Sequence, residues 1–174
     1  MSRELIILRH CKSDWDNNIR QDEQRPLSQR GIDNAEIMGQ WMIKQSIVPD
    51  LVLCSTAIRA RQTLALVNLS LNLPEDRIQF QKELYLASMS TLLQFLSKVD
   101  KSYRSVMMVG HNPGLDYLVD HVSSIRPELT SSGKLMTTGC LAYFQCPDDW
   151  HVLKQCGKLL SITRPADIIE SNYT

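Results

Sequence analysis

The sequence predicts an α/β protein built on a mostly parallel sheet covered on both faces by helices, with an antiparallel C-terminal meander. Three observations support this. Short apolar runs at residues 5–8, 51–54 and 106–109 have the length and aliphatic, β-branched character of buried strands. Segments with apolar residues every three to four positions separate them, so each strand is followed by a helix and the crossovers return the chain in parallel. After residue 139 this spacing gives way to short runs broken by Pro147-Asp148-Asp149 and Gly157, the punctuation of antiparallel strands.

The first strand ends in Arg9 and His10. Residues 12–25 are polar and turn-rich and read as a loop, in which Trp15 either roofs a pocket mouth or packs the loop onto the body. Ser28 is placed to cap a helix whose apolar positions are Ile32, Ala35, Met38, Trp41 and Met42. Pro49-Asp50 breaks that segment, and the strand at 51–54 runs into Ser55, Thr56, Arg59 and Arg61. Leu64, Val67 and Leu71 mark a helix over 57–71, whereas 78–81 alternates over too few residues to assign. Ser88 or Ser90 caps the next helix, with Leu92, Leu93, Leu96 and Val99 on one side. The strand at 105–110 ends in His111-Asn112-Pro113-Gly114, and Pro113 suits the first turn of a helix carrying Leu115, Leu118, Val119 and Val122. Residues 126–139 form a loop, residues 140–145, 150–155 and 159–163 form the meander, and Arg164-Pro165 stops it.

Bulk composition narrows the function classes. At 174 residues, 43% hydrophobic and 22% charged, the chain suits one domain over 1–174. Lys+Arg and Asp+Glu number 19 each, so no net field favours nucleic acid or an anionic membrane, and any phosphate binding must be local. Five cysteines without CxxC spacing fit a reducing cytoplasm better than a disulfide framework or a zinc site. The N-terminal residues are too charged for a signal peptide, and no run approaches membrane-spanning length. No metal-ligand spacing is present and no cofactor is implied.

Parallel sheets bind ligands in crevices outside the carboxyl ends of their strands. Three strand ends should therefore bring together Arg9 and His10, Ser55 and Arg59, and His111. Guanidiniums and imidazoles gathered there make a poor core but a good cradle for a tetrahedral oxyanion. Any one of these sites alone would read as a surface residue, whereas the coincidence of three points to phosphate. His121 and His151 have no such setting.

The segments Leu8-Arg9-His10, Arg25-Pro26-Leu27-Ser28-Gln29-Arg30-Gly31, Ser55-Thr56-Ala57-Ile58-Arg59-Ala60-Arg61-Gln62-Thr63 and Gly110-His111-Asn112-Pro113-Gly114 resemble, in order and spacing, the motif series of the histidine phosphatase (phosphoglycerate-mutase-like) superfamily. The short length, Lys12-Ser13, Glu83-Leu84-Tyr85 and Thr138-Gly139 resemble its SixA phosphohistidine phosphatase branch. The resemblance implies a three-layer α/β/α sandwich, with His10 as nucleophile and Arg9, Arg59 and a protonated His111 around the phosphoryl group. It also implies Arg25 and Ser13 as further phosphate contacts and Glu83 as a general acid whose pKa burial would raise. Cys11 and Thr56 depart from the family pattern without removing a functional group.

The substrate implied is a phosphohistidine of a phosphotransfer protein, docked around the pocket by a region including residues 12–24. A small-molecule or generic phosphomonoesterase and a non-catalytic phosphoprotein-binding module are the alternatives. A cysteine phosphatase would need Arg six residues after its Cys, where this chain has Asn17 after Cys11 and Ala60 after Cys54.

Overall fold

The computed structural model describes residues 2–15, 18 and 21–171, so part of the 12–25 loop lies outside the described residues. Six strands form one sheet: β1 (Arg3–Arg9), β2 (Leu51–Ser55), β3 (Ile78–Gln81), β4 (Ser105–Gly110), β5 (Leu141–Cys146) and β6 (Lys158–Thr163), in the order β3-β2-β4-β1-β5-β6. The first four strands of that order are parallel; β5 runs antiparallel to β1, and β6 to β5. The chain leaves β1, skips one strand position to form β2, and later inserts β4 between them. This is the point at which an open sheet splits its connections to both sides and leaves a crevice.

The helices are α1 (Gln29–Lys44), α2 (Ile58–Leu71), α3 (Met89–Ser97), α4 (Gly114–Val122) and α5 (Pro165–Ser171). Side chains alternate across each strand, and both faces are covered. On one face Ile6, Leu8, Val52, Cys54, Met107 and Val109 pack with Met38 and Met42 of α1, Leu64 and Val67 of α2, and Ile168 of α5. On the other, Leu5, Ile7, Leu53, Val106 and Met108 pack with Leu92 and Leu96 of α3 and Leu115, Leu118 and Val122 of α4. The architecture is therefore the three-layer α/β/α sandwich.

Several elements differ from the sequence reading. Residues 150–155 form turns and irregular backbone, not a strand: Trp150 and Leu153 are buried three positions apart, with exposed His151 and Val152 between them. The meander has two strands, and His151 stands in a turn. Residues 78–81 do form a strand, parallel to β2. Arg164-Pro165 stops the meander as expected, β6 ending at Thr163, but Pro165 then opens a further helix, α5, where its missing N–H costs nothing. Pro113 stands just before α4 instead of within its first turn. Of the two serines offered as caps, Ser88 is the one, accepting from Thr91 N–H.

One packing detail fixes the loop that leaves the sheet after His10. Ser28 caps α1 by accepting from Gly31 N–H, and Ser28 N–H donates to Lys12 O at 2.9 Å. The first turn of α1 thus lies directly on the backbone after the strand end. A Cβ at Gly31 would sit 2.1 Å from Lys12 O, which explains glycine at that position. Gly31→Ala should destabilise the protein by about 1–3 kcal/mol through forced displacement of this turn. Urea unfolding measures it, and an unchanged midpoint would contradict the packing.

Candidate active site

The register of β1 and β4 aligns Arg9 with Gly110, so the residues that follow, His10 and His111, leave the sheet side by side. Their rings lie 5.1 Å apart, centroid to centroid. His10 Nδ1 contacts Cys11 O at 2.7 Å. A carbonyl only accepts, so Nδ1 carries the proton and Nε2 keeps its lone pair. Arg59, on the first turn of α2, directs Nε toward His10 Nε2 at 3.4 Å. The backbone after the histidine is held in place by Cys11 N–H donating to Thr63 Oγ1 at 2.9 Å, and Thr63 in turn donates to Arg59 O at 2.7 Å. Nucleophile candidate and guanidinium are therefore built on one connected frame. The Cys11 thiol is buried, and burial pushes its pKa up to about 12; it is an inert filler beside His10.

Burial, opposed in part by the Cys11 carbonyl and reinforced by Arg59, Arg9 and Arg25, lowers the His10 pKa to about 4. His111 is lowered to about 3, by burial first and then by His10 and Arg59. His111 is thus neutral in the free site, because a further cation there would be desolvated among guanidiniums. Its Nε2 lies 2.7 Å from Ser55 Oγ, at the end of β2, and its buried Nδ1 has no partner among the described residues. Arg9 donates through Nη1 to Met136 O at 2.7 Å, and its buried Nε likewise lacks a partner among the described residues. Unpaired buried donors are costly and call for an acceptor.

The remaining expected residues are placed differently. Arg25 reaches the site and stacks over Trp15, its Cζ 3.7 Å from the ring centroid, so the exposed Trp15 both anchors and flanks the mouth. Ser13 is buried and accepts from Arg25 Nη1 at 3.0 Å, which makes it a support for the arginine. Glu83 lies on an exposed 3-10 turn, Lys82–Leu84, and lacks the burial expected of it.

Two residues were not singled out from the sequence. Asp22 accepts from Arg59 Nη2 at 2.9 Å and Arg25 Nε at 2.9 Å, and its own carbonyl accepts from Arg59 Nη1 at 2.7 Å. Tyr85 donates its hydroxyl to Asp22 Oδ2 at 2.6 Å and sets its ring edge-on to His111. Those contacts, the tyrosine hydroxyl foremost and the two guanidiniums with it, bring the Asp22 pKa down to about 2. The only signal for Asp22 was its position three residues before Arg25.

A hollow of about 610 Å³ between α3 and the 150–154 turns contains none of these residues and has no convergent charge. Among the described residues no helix is long and apolar enough to cross a membrane.

A neutral imidazole whose Nε2 lone pair accepts from Arg59, with further guanidiniums around it at the carboxyl edge of a parallel sheet, defines a phosphoryl-handling α/β protein. Its relatives agree. The model of the histidine phosphatase superfamily, branch 1, matches residues 5–90. Phosphohistidine phosphatase SixA of Escherichia coli is 32% identical over 120 residues, which is 67% of this chain and 71% of that one. An uncharacterised protein of Mycobacterium tuberculosis is 36% identical over 118 residues, 68% of this chain and 71% of that one. The structure of SixA complexed with tungstate superposes with a TM-score of 0.78 at 26% identity, covering 95% of this chain and 99% of the other. Alpha-ribazole phosphatase from Shigella flexneri, at 16% identity and TM-score 0.65 over 93% and 96%, shares the fold. The chain belongs to the histidine phosphatase superfamily and is a SixA-like phosphatase.

Because His10 and His111 ionise well below the ordinary 6.5, the unfolded chain takes up protons that the folded chain refuses as pH falls from 6.5 toward 4. Stability should therefore decline on acidification through that window and be unaffected by these groups above it. Urea unfolding at steps between about pH 7 and pH 5 should show a shallower decline in His10→Asn than in wild type; parallel declines would refute the assignment.

Proposed function

We propose that the protein, as one domain, hydrolyses phosphohistidine on a phosphotransfer protein in the cytoplasm through a covalent phosphohistidine on His10. The observation that carries this reading is the hydrogen bond from His10 Nδ1 to the Cys11 carbonyl, which fixes the tautomer whose Nε2 can attack. In the first step the Nε2 lone pair attacks phosphorus in line. The bond from phosphorus to the substrate nitrogen breaks, and the departing imidazole takes up a proton. In the second step water attacks phosphorus, the P–Nε2 bond returns its electron pair to His10, and inorganic phosphate leaves with the balance of the water hydrogens.

The chain's own donors offset the charge on the transferring oxygens. Arg59 stands over Nε2, and the unpaired Arg9 Nε gains an acceptor when a phosphoryl group binds. Ser55 Oγ accepts from Ala57 N–H at 3.2 Å; by donating its own hydrogen to His111 Nε2 it leaves Nδ1–H of a neutral His111 to serve the oxyanion. Arg25, held by Ser13, completes the rim. A protein substrate is favoured because turns and loops border this mouth, so a side chain borne on another protein can enter. The 12–24 loop belongs to that docking rim, as far as its described residues extend.

His10→Ala should abolish turnover of a phosphohistidine-bearing protein while leaving the fold intact by circular dichroism, and wild-type turnover should persist with chelator present. Near-normal activity in the variant would refute the scheme. Glu83 remains the proposed proton donor to alkoxide leaving groups, which need a proton that imidazole can draw from water. Glu83→Gln should thus slow an alkyl phosphate at least about tenfold and phosphoimidazole little; equal losses on both would remove Glu83 from the mechanism.

A further inference from the structure

We infer that Asp22 is a specificity-determining residue: its carboxylate admits phosphoryl groups on neutral or proton-bearing leaving groups and turns away those whose leaving group carries a second anion. The inference rests on the phosphatase reading above and deepens it to a substrate class.

The geometry places the carboxylate where a leaving group must emerge. Arg59 Nε is 3.4 Å from the attacking His10 Nε2, and Arg59 Nη2 is 2.9 Å from Asp22 Oδ2, so one guanidinium separates nucleophile from carboxylate. In-line attack sends the departing group away from Nε2, outward past that guanidinium. Asp22 is 45% exposed, so although Arg25 holds Oδ1 and Arg59 and Tyr85 hold Oδ2, the carboxylate remains open to solvent at the mouth. Glu23, held by Thr56 Oγ1 at 2.9 Å, adds a second carboxylate to the same turn.

The charges at the site agree with this. Among the described residues Arg9, Arg25 and Arg59 supply the cations at the site, and Asp22 and Glu23 set two carboxylates on one turn, so a dianionic phosphoryl group already exceeds the positive charge gathered there. Phosphoimidazole leaves through a ring that can present an N–H to a carboxylate oxygen, a charge-assisted bond. A leaving group bearing a carboxylate or another phosphate would instead meet Asp22 as a like charge.

The test uses the full-length protein and three probes: phosphoimidazole, phenyl phosphate and 4-carboxyphenyl phosphate. The last two differ by one carboxylate. Wild type should prefer phenyl over 4-carboxyphenyl phosphate in kcat/KM. Asp22→Asn, which keeps size and an acceptor for Tyr85, should shrink that preference roughly tenfold and lower kcat/KM for phosphoimidazole, with the shift weakening in high salt. Tyr85→Phe removes the hydroxyl but keeps the charge, so the preference should survive whatever happens to the absolute rate. If Asp22→Asn changes all three probes by one factor, or if Tyr85→Phe shifts the preference equally, Asp22 only positions Arg59 and the inference is overturned alone. Wild type inactive on every probe and on a phosphohistidine protein would overturn the phosphatase reading and this one together.

Discussion

The pairing of β1 with β4 is the constraint on which the site depends. The two strands are distant in sequence, yet parallel register sets Arg9 opposite Gly110 and forces the next residue of each strand to leave the sheet at the same edge. His10 N–H still donates to Gly110 O at 3.1 Å, so the ladder extends to the base of the first imidazole. Two rings 5.1 Å apart with arginines around them cannot both be charged at an acceptable cost. The same register that assembles the histidines therefore keeps them neutral, and neutrality is what the proposed nucleophile requires.

An arginine as enclosed as Arg59, 2% exposed, needs an acceptor at all times, because a buried unpaired guanidinium is strongly destabilising. Asp22 supplies it through both its carboxylate and its backbone carbonyl. This arrangement lets a positively charged phosphate cradle exist in a stable free protein. The carboxylate is half exposed, so its attraction is tempered by solvent; Arg59 is held without being neutralised as firmly as a fully buried partner would neutralise it.

The parts of this structure legible in the sequence are those encoded locally. Buried parallel strands read as continuous aliphatic runs, and helix faces read as three- and four-residue repeats, so β1, β2, β4 and α1 to α4 were visible, with Ser28 as the cap of α1. Arg9, His10, Arg59 and His111 were visible because each follows such a run within a few residues. Residues 150–155 misled because Trp150 and Leu153 are buried by a turn conformation, and burial alone does not distinguish a strand from a turn that dips into the core. Asp22 was not legible: it sits in a polar loop with other acids, and its partner Arg59 lies 37 residues further along the chain. The neutrality of His111 in the free site was not legible either, since desolvation depends on what packs around a side chain.

These two kinds of information bear on different aspects of function. Strand ends, read locally, supply the groups that act on a phosphoryl centre, and many members of a fold can share them while differing in what they accept. Selectivity among phosphoryl compounds must come from groups that contact the leaving side, and the one inferred here is the Asp22 carboxylate on the turn at Asp22–Gln24, which Tyr85, just after β3, helps to hold. Neither segment belongs to the sheet edge that carries the histidines. Both lie outside the β1–β4 register, so the accepted leaving group can vary without moving the histidines, provided that Arg59 keeps an acceptor.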